Sequence, residues 1–509
     1  MLALIVIPTL AFPLPIQLAV NWLHGITVAA FSTLLVWLLL IALLLCAASA
    51  LWPRIGHLKL GLANDKPEFS LFAWITMLYG AGVSAALINW SVAEPLHFLQ
   101  ENPDNILGTA TIGTAENFRM ALKWAFVHWG ISAWACYAIT GLGLAFTCYR
   151  QGKPLGISTA LTPILGNTWA QASGGFLNII TLVVGMLCLW NILSLGIEQV
   201  RSNFLWLGMN TATLPVDPAA FVPLVVVIVV VVSSVACISS GPARGIKWMS
   251  IINVALSAIL LVSLLGATSF SGLTIFFVCL TDYFVALPVL LTSVWRGNDL
   301  PASVPSQLQN WQQQWSFFHW TWWIPFTVFI GYFMARISRG RTVREFVLAA
   351  MLAPAFMCFS WLAWAGGTGM QLETTAVRGI ELGSVADADK LLAIIQHLFT
   401  PIPSIFLLAL TFCLIGTYMI TSVASALFVI GSVSASGEVA RSTRSQFMLW
   451  AVVLAAVTLC IDYFSAAAAL QVIMCLSAVP VSLLVALLCG SFIKGVYMEL
   501  GAKPARPPL

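Results

Sequence analysis

Trp315, Trp320, Trp322 and Trp323 fall within nine residues at the start of the apolar stretch from Trp315 to Gly331. At about 100° per residue Ser316, Trp320, Trp323 and Thr327 share one helical face, and Trp322 lies one step round from Trp323. Tryptophan at a membrane boundary usually anchors a helix, but Trp320, Trp322 and Trp323 lie inside the span. There they suit a cation that has no N–H to donate, which aromatic faces hold at up to ~2 kcal/mol per desolvated ring. A second aromatic set stands in His128-Trp129-Gly-Ile-Ser-Ala-Trp134-Ala-Cys-Tyr137, wide enough in arc to line one wall. Aromatic packing between helices would use the same residue types, so the pattern alone leaves both readings open.

Oxygen chemistry is carried by Thr417-Tyr-Met-Ile-Thr421-Ser422-Val-Ala-Ser425. The Thr421 and Ser422 hydroxyls suit a hard cation such as Na⁺ if an unwound backbone supplies carbonyls; in a membrane helix they also back-bond to their own turn. The small residues Gly80, Gly82, Ser84, Ala85 and Ala86 offer such a backbone, or else a close helix crossing. His128 and His319 each precede a tryptophan of the aromatic sets. Each is either a neutral bridge between helices or a titrating group beside a substrate route. Glu94, before Pro95, reads as a cap or a neighbour's partner, without a substrate role. Lys247 opens a span, where a lysine can snorkel or can set its ammonium in place of a bound cation. No His-Glu-x-x-His, Gly-x-Ser-x-Gly or clustered Asp/His pattern occurs, so an intramembrane enzyme is disfavoured, and no Walker motif points to ATP. The eleven cysteines lack metal-ligand spacing and read as packing residues.

The elements that must position these groups are membrane helices. The 509 residues are 60% hydrophobic and 8% charged, with mean hydropathy +0.97, which excludes a soluble globule. The opening Met1-Leu-Ala-Leu-Ile has no basic n-region, so no cleaved signal peptide is expected. Twelve apolar stretches are predicted, near 1–20, 28–51, 70–93, 120–147, 175–197, 218–239, 247–270, 316–335, 344–366, 401–431, 446–466 and 469–493. With both termini cytoplasmic, only Arg119, Lys123, Arg201, Arg296, Arg378 and Lys390 of the 22 Lys and Arg fall outside, as the positive-inside rule favours. No nucleic-acid partner and no protein-bound cofactor is expected.

The wording His319-Trp-Thr-Trp-Trp323 followed by Arg336-Ile-Ser-Arg-Gly-Arg-Thr-Val-Arg-Glu345 resembles the betaine–choline–carnitine transporter family, whose eighth helix carries such a cluster and loop. The resemblance runs from about Asp65-Lys-Pro-Glu-Phe69 to the last apolar segment. It implies an all-α, twelve-helix protein of the bacterial inner membrane with a LeuT-like fold, assembled as a homotrimer. The corresponding division is two N-terminal helices and a cytoplasmic loop (1–69), a first five-helix repeat (70–270), an extracytoplasmic connection (271–315), an inverted second repeat (316–493) and a short tail (494–509). It assigns Trp129, Trp134, Tyr137 and Trp323 to a box for a quaternary ammonium group of the betaine, carnitine or choline type. Trp320 and Trp322 become neighbouring stations on the path. Gly80, Val83, Thr421 and Ser422 become candidates for coupling to Na⁺, with sodium-independent exchange as the alternative if Lys247 replaces the ion. The chain departs from the family where Gly-x-Gly-x-Gly is here Gly82-Val-Ser-Ala-Ala86, and where His319 and Phe326 replace a usual Tyr and Trp.

Overall fold

The structure is a computed structural model that describes residues 2–82, 85–207, 218–241, 244–267, 272–298, 300–374, 380–435 and 444–501. Val83, an ion-coupling candidate by resemblance, lies outside the described residues.

The apolar segments form long helices. These are α1 (Leu2–Ala11), α2 (Pro13–Leu51), α3 (Leu71–Gly82), α4 (Ala85–Gln100), α5 (Ala115–Trp129), α6 (Ile131–Arg150), α7 (Thr162–Trp206) and α8 (Pro218–Ser239). They continue as α9 (Gly245–Ala267), α10 (Gly272–Leu290), α11 (Phe318–Ile337), α12 (Val343–Trp361), α13 (Pro401–Ser434), α14 (Arg444–Tyr463), α15 (Ala467–Leu476) and α16 (Ala478–Gly501). Among the described residues ten helices are long and apolar enough to cross a membrane, and the pair α3–α4, bent by 69°, makes an eleventh. The twenty residues of α11 are nearly all buried. Outer helices expose Leu14, Leu18, Trp22, Ile228 and Val232, surface that lipid accepts and water does not.

Two details differ from the predicted spans. The first two do not turn back at 21–27: although the stretch holds Asn21, His24 and Gly25, it stays helical. After the single non-helical residue Phe12, α2 runs 39 residues, about 58 Å. The connection 271–315 contains α10, an apolar helix of 19 residues packed along α5 and pinned to it by Arg119–Asp282 at 2.7 Å.

The packing repeats itself. Helix α11 packs on α6 as α3 packs on α12; α13 packs on α8 and α9 as α7 packs on α14, α15 and α16; α9 packs on α3 as α16 packs on α11. Exchanging the halves 70–270 and 316–493 leaves this scheme unchanged. With α10 set aside as the helix lying along α5, five segments separate each helix from its equivalent, and an odd number reverses direction, as in an inverted repeat.

The basic loop after α11 is a structural joint. Leu60 N–H donates to the Arg341 carbonyl (2.7 Å), Gly340 N–H to the Leu60 carbonyl (2.9 Å) and Val343 N–H to the Leu58 carbonyl (2.8 Å). Gly340 has φ +85°, and a Cβ there would meet the Lys66 carbonyl carbon at 2.5 Å, so glycine is required. Thr342 and Glu345 form a capping box that starts α12. The Arg341 guanidinium donates to the Phe69 carbonyl (2.6 Å) and lies over the Trp74 ring at 4.6 Å. Arg339 pairs with Asp65, Arg344 donates to the Ala50 carbonyl, and Arg150 at the end of α6 donates to the Lys59 carbonyl. Four arginines read from sequence as topological signals therefore also close the loops onto one another.

Candidate functional site

The crossing of α6 and α11 is built from glycine. A Cβ on Gly331 would stand 2.7 Å from the Thr140 side chain, and one on Gly141 would stand 2.9 Å from the Gly331 carbonyl oxygen. That close approach brings Trp134 and Tyr137 against Trp323. Trp129 arrives from α5, because the chain breaks at Gly130 (φ −89°, ψ −166°). The first N–H after the break, on Ile131, donates to the Tyr283 hydroxyl of α10 at 3.1 Å. Trp129 and Trp134 therefore do not share one helical arc, as a continuous fourth segment would require. Across the break both rings reach Trp323.

Four rings named from the sequence meet here. Centroid distances are 5.4 Å for Trp129–Trp323, 5.4 Å for Trp134–Tyr137, 5.5 Å for Trp134–Trp323 and 5.5 Å for Tyr137–Trp323. The two Trp129 and Trp134 contacts with Trp323 are edge-to-face, as ring quadrupoles prefer. All four rings are buried, and the other three each touch Trp323, so a ligand among them requires them to part. Tyr137 donates its hydroxyl proton to the Trp323 carbonyl at 3.2 Å. The buried indole N–H of Trp323 has no partner. Gly82 backs the group: a Cβ there would lie 2.5 Å from the Trp134 ring.

Trp322 and Trp320 flank this group on different sides. The Trp322 indole donates to Asn191 Oδ1 of α7 at 3.0 Å, and its ring meets Trp323 (5.7 Å) and Phe326 (4.8 Å). Trp320 points instead to His128, with centroids 5.8 Å apart. Asn191 carried no signal beyond being a polar residue in an apolar helix.

A buried carboxylate stands directly behind Trp129. The Trp129 indole donates to Glu94 Oε2 at 2.7 Å. His128 Nδ1 lies 2.6 Å from Glu94 Oε1, and His319 Nε2 lies 3.2 Å from Glu94 Oε2. The imidazoles stack with centroids 4.3 Å apart, and Glu94 and His128 have no exposed surface. The sequence places Glu94 only near a helix end. The structure puts it between two histidines and a ring of the aromatic group.

The oxygen site forms where α3, α9 and α13 meet. Thr421 donates its hydroxyl proton to the Thr417 carbonyl (2.7 Å) and accepts from Asn253 Nδ2 (2.9 Å). The Asn253 Oδ1 is buried without a partner. Gly80 faces the same place, since its Cβ would lie 3.3 Å from Thr421 Cγ2 and 2.8 Å from Ser250 Oγ. Ser422, the next residue, is buried. Below it the Tyr79 and Tyr418 hydroxyls bond each other, and Tyr418 bonds Ser257 at 2.8 Å. Lys247 is not brought to this site. Its ammonium lies over the exposed ring of Trp248, 5.4 Å from the centroid, in the first turn of α9. That is about 9 Å along the axis from Asn253. Asn253 was missed in the sequence, although Ser250, Asn253 and Ser257 mark one polar stripe on an apolar helix.

The family model described as BCCT, betaine/carnitine/choline family transporter, matches residues 1–501. An uncharacterised transporter of Mycobacterium tuberculosis is 33% identical over 456 residues, 89% of this chain and 73% of that protein. A glycine betaine transporter of Bacillus subtilis is 30% identical over 87% of this chain and 83% of its own length. An ectoine/hydroxyectoine transporter of Virgibacillus pantothenticus is 31% identical over 89% and 85%.

Proposed function

The chain belongs to the betaine/carnitine/choline transporter family, and from that premise we propose that it carries a small quaternary-ammonium solute across the bacterial inner membrane by alternating access. It is a multi-pass transporter and not an enzyme. One observation carries the substrate reading: Trp129, Trp134, Tyr137 and Trp323 converge from three helices into one buried ring cluster. A trimethylammonium group is weakly hydrated and offers no N–H, so aromatic faces recover its desolvation where hydrogen bonds cannot. The unpartnered indole N–H of Trp323 is a donor that a substrate carboxylate would satisfy, which favours a betaine-like zwitterion over a bare cation. Two of the similar transporters are named for glycine betaine and for ectoine, which agrees with a zwitterionic solute.

The same reading takes Na⁺ as the coupling ion. Thr421 and Ser422 hydroxyls and the free Asn253 Oδ1 are hard oxygen donors beside Gly80, and the ammonium of Lys247 stands elsewhere. When bound, Na⁺ would favour the conformation in which α3, α9 and α13 close on it, and that differential affinity is what couples it to the solute. Sodium-independent exchange is the competing reading, and it needs a cation of the protein at this site. Uptake of labelled glycine betaine, carnitine and choline into proteoliposomes tests both. Uptake driven by an inward Na⁺ gradient is expected for at least one of them. Equally fast counterflow without Na⁺ would refute symport, and no transport of any of the three would refute the substrate class.

A further inference from the structure

Proton counting around Glu94 gives a result that the aromatic cluster does not use. His128 is satisfied as a neutral ring: Nδ1–H donates to Glu94 Oε1 (2.6 Å), and Nε2 accepts from Ser316 Oγ (3.0 Å). His319 is different. Its Nδ1 lies 2.8 Å from the Trp315 carbonyl within the π-helical turn Gln313–Phe317. A carbonyl only accepts, so Nδ1 carries a hydrogen. Its Nε2 faces Glu94 Oε2 at 3.2 Å. A carboxylate oxygen and the second nitrogen of a neutral imidazole both only accept. The two stand at ion-pair distance without hydrogen-bond alignment, so their lone pairs repel unless one further proton sits on one of the two partners. The same oxygen, Oε2, takes the indole N–H of Trp129, whose ring lies 6.2 Å from His319 and 5.4 Å from Trp323.

We propose that Glu94 and His319 hold one exchangeable proton next to the aromatic cluster, and that a cation entering the cluster expels it to water. With the proton the pair is neutral, and without it the pair carries one negative charge. A positive head group held by Trp129 and Trp323 favours the negative form. At a separation of about 8 Å and an effective dielectric of 20, the attraction amounts to roughly a thirtyfold preference, so proton and cation compete. Substrate affinity therefore rises with pH, and binding releases protons. A zwitterion, whose carboxylate offsets its head group, shows the effect less than choline does. Of the other titratable groups on the surrounding elements, His97 and Lys390 pair with Asp387, Lys123 with Asp104 and Arg119 with Asp282, His24 of α2 meets the Thr321 hydroxyl at 3.3 Å, and Glu101 and Glu116 stand at the outer ends of α4 and α5. Trp315 stands between His97 and His319. This inference rests on the cation reading of the cluster.

The test uses the full-length transporter in detergent at fixed Na⁺. Choline and glycine betaine are titrated calorimetrically at a series of pH values in two buffers of different ionisation heat. The expected result is a choline affinity rising about tenfold with pH and a release approaching one proton. In His319→Gln the ligand still binds and the release disappears. If that variant misfolds, His319→Tyr serves, since a phenol can donate to Glu94 without carrying the added positive charge. Nitrogen-15 NMR of histidine in the ligand-free protein supplies an independent reading, with the His319 signal expected to move with pH. Proton release unchanged in both variants, or absent in the wild type while choline binds, overturns the proposal. Absence of choline and betaine binding at every pH overturns the cluster reading, and a His319 signal fixed across the range then overturns the proton site as well.

Discussion

Replacing Gly82 by alanine is the sharpest perturbation the structure offers. In a helix with free space, the change would stabilise by about 0.5–1 kcal/mol, because glycine loses more backbone entropy on folding. Here the new methyl would stand 2.5 Å from Cζ3 and 2.6 Å from Cη2 of Trp134. Ordinary carbon contacts are about 3.5–4.0 Å, so the indole must yield by roughly 1 Å. It has little room, with Tyr137 at 5.4 Å and Trp323 at 5.5 Å already in contact. Overpacking of this kind costs about 1–3 kcal/mol, which reverses the sign expected from propensity. A displaced ring also weakens the grip on a cation, and losing about 1–2 kcal/mol of it lowers affinity roughly 5- to 30-fold. The assay is thermal unfolding in detergent together with calorimetric binding of choline and glycine betaine. The double variant Gly82→Ala with Trp134→Phe completes a cycle, since phenylalanine lacks the outer ring that carries both clashing atoms. Its stability should exceed the sum of the single effects by about 1–3 kcal/mol. A Gly82→Ala protein that melts and binds like the wild type, or a strictly additive cycle, would refute the close approach and its role in shaping the cluster.

Other substitutions separate the remaining parts. Trp323→Leu is expected to weaken quaternary-amine binding roughly 5- to 30-fold and Trp323→Phe less, by calorimetry; equal affinity in the two would end the cation–π assignment. Asn253→Ala should raise the Na⁺ concentration for half-maximal uptake about tenfold or more, by loss of an oxygen ligand, while Lys247→Ala leaves it unchanged; the reverse ranking would return the exchange reading. Tyr283→Phe removes the acceptor of the Ile131 N–H and should cost about 1 kcal/mol, seen as a lower Tm; an unchanged Tm would mean that the break at Gly130 is held by other contacts. A cysteine at Arg339 is expected to react with an impermeant reagent only from the cytoplasmic face, and labelling from the outside of intact cells contradicts the orientation.

The aromatic residues were legible in the sequence because indoles inside an apolar span are rare and need a reason. Trp129, Trp134, Tyr137 and Trp323 meet in space as their wording implied. The helix break between the first two was not legible, because Gly130 reads like any small residue until Tyr283 is seen capping it. Single polar residues were undervalued for a similar reason. Asn253, Asn191 and Glu94 each look like isolated concessions in an apolar helix, and their partners lie 168, 131 and 34 residues away in the chain. Hydropathy also misjudged the N-terminus, where it sees two spans and the structure holds one helix after Phe12. It discounted 271–315, whose apolar helix α10 turns out to buttress α5.

The joint between the loops 56–69 and 336–345 has a mechanical consequence. Backbone pairing ties the chain just before α3 to the end of α11 and the start of α12, while Arg344 and Arg150 lash the ends of α2 and α6 to the same knot. Five helix ends joined by main-chain and arginine bonds cannot slide past one another without breaking several at once. Under the proposed alternating access, the block would move as one piece, and the pivot is expected between it and the packed pair α7 and α13. Spin labels placed at both ends of the block would report a constant spacing through the cycle, and labels set across to α7 or α13 would report the stroke.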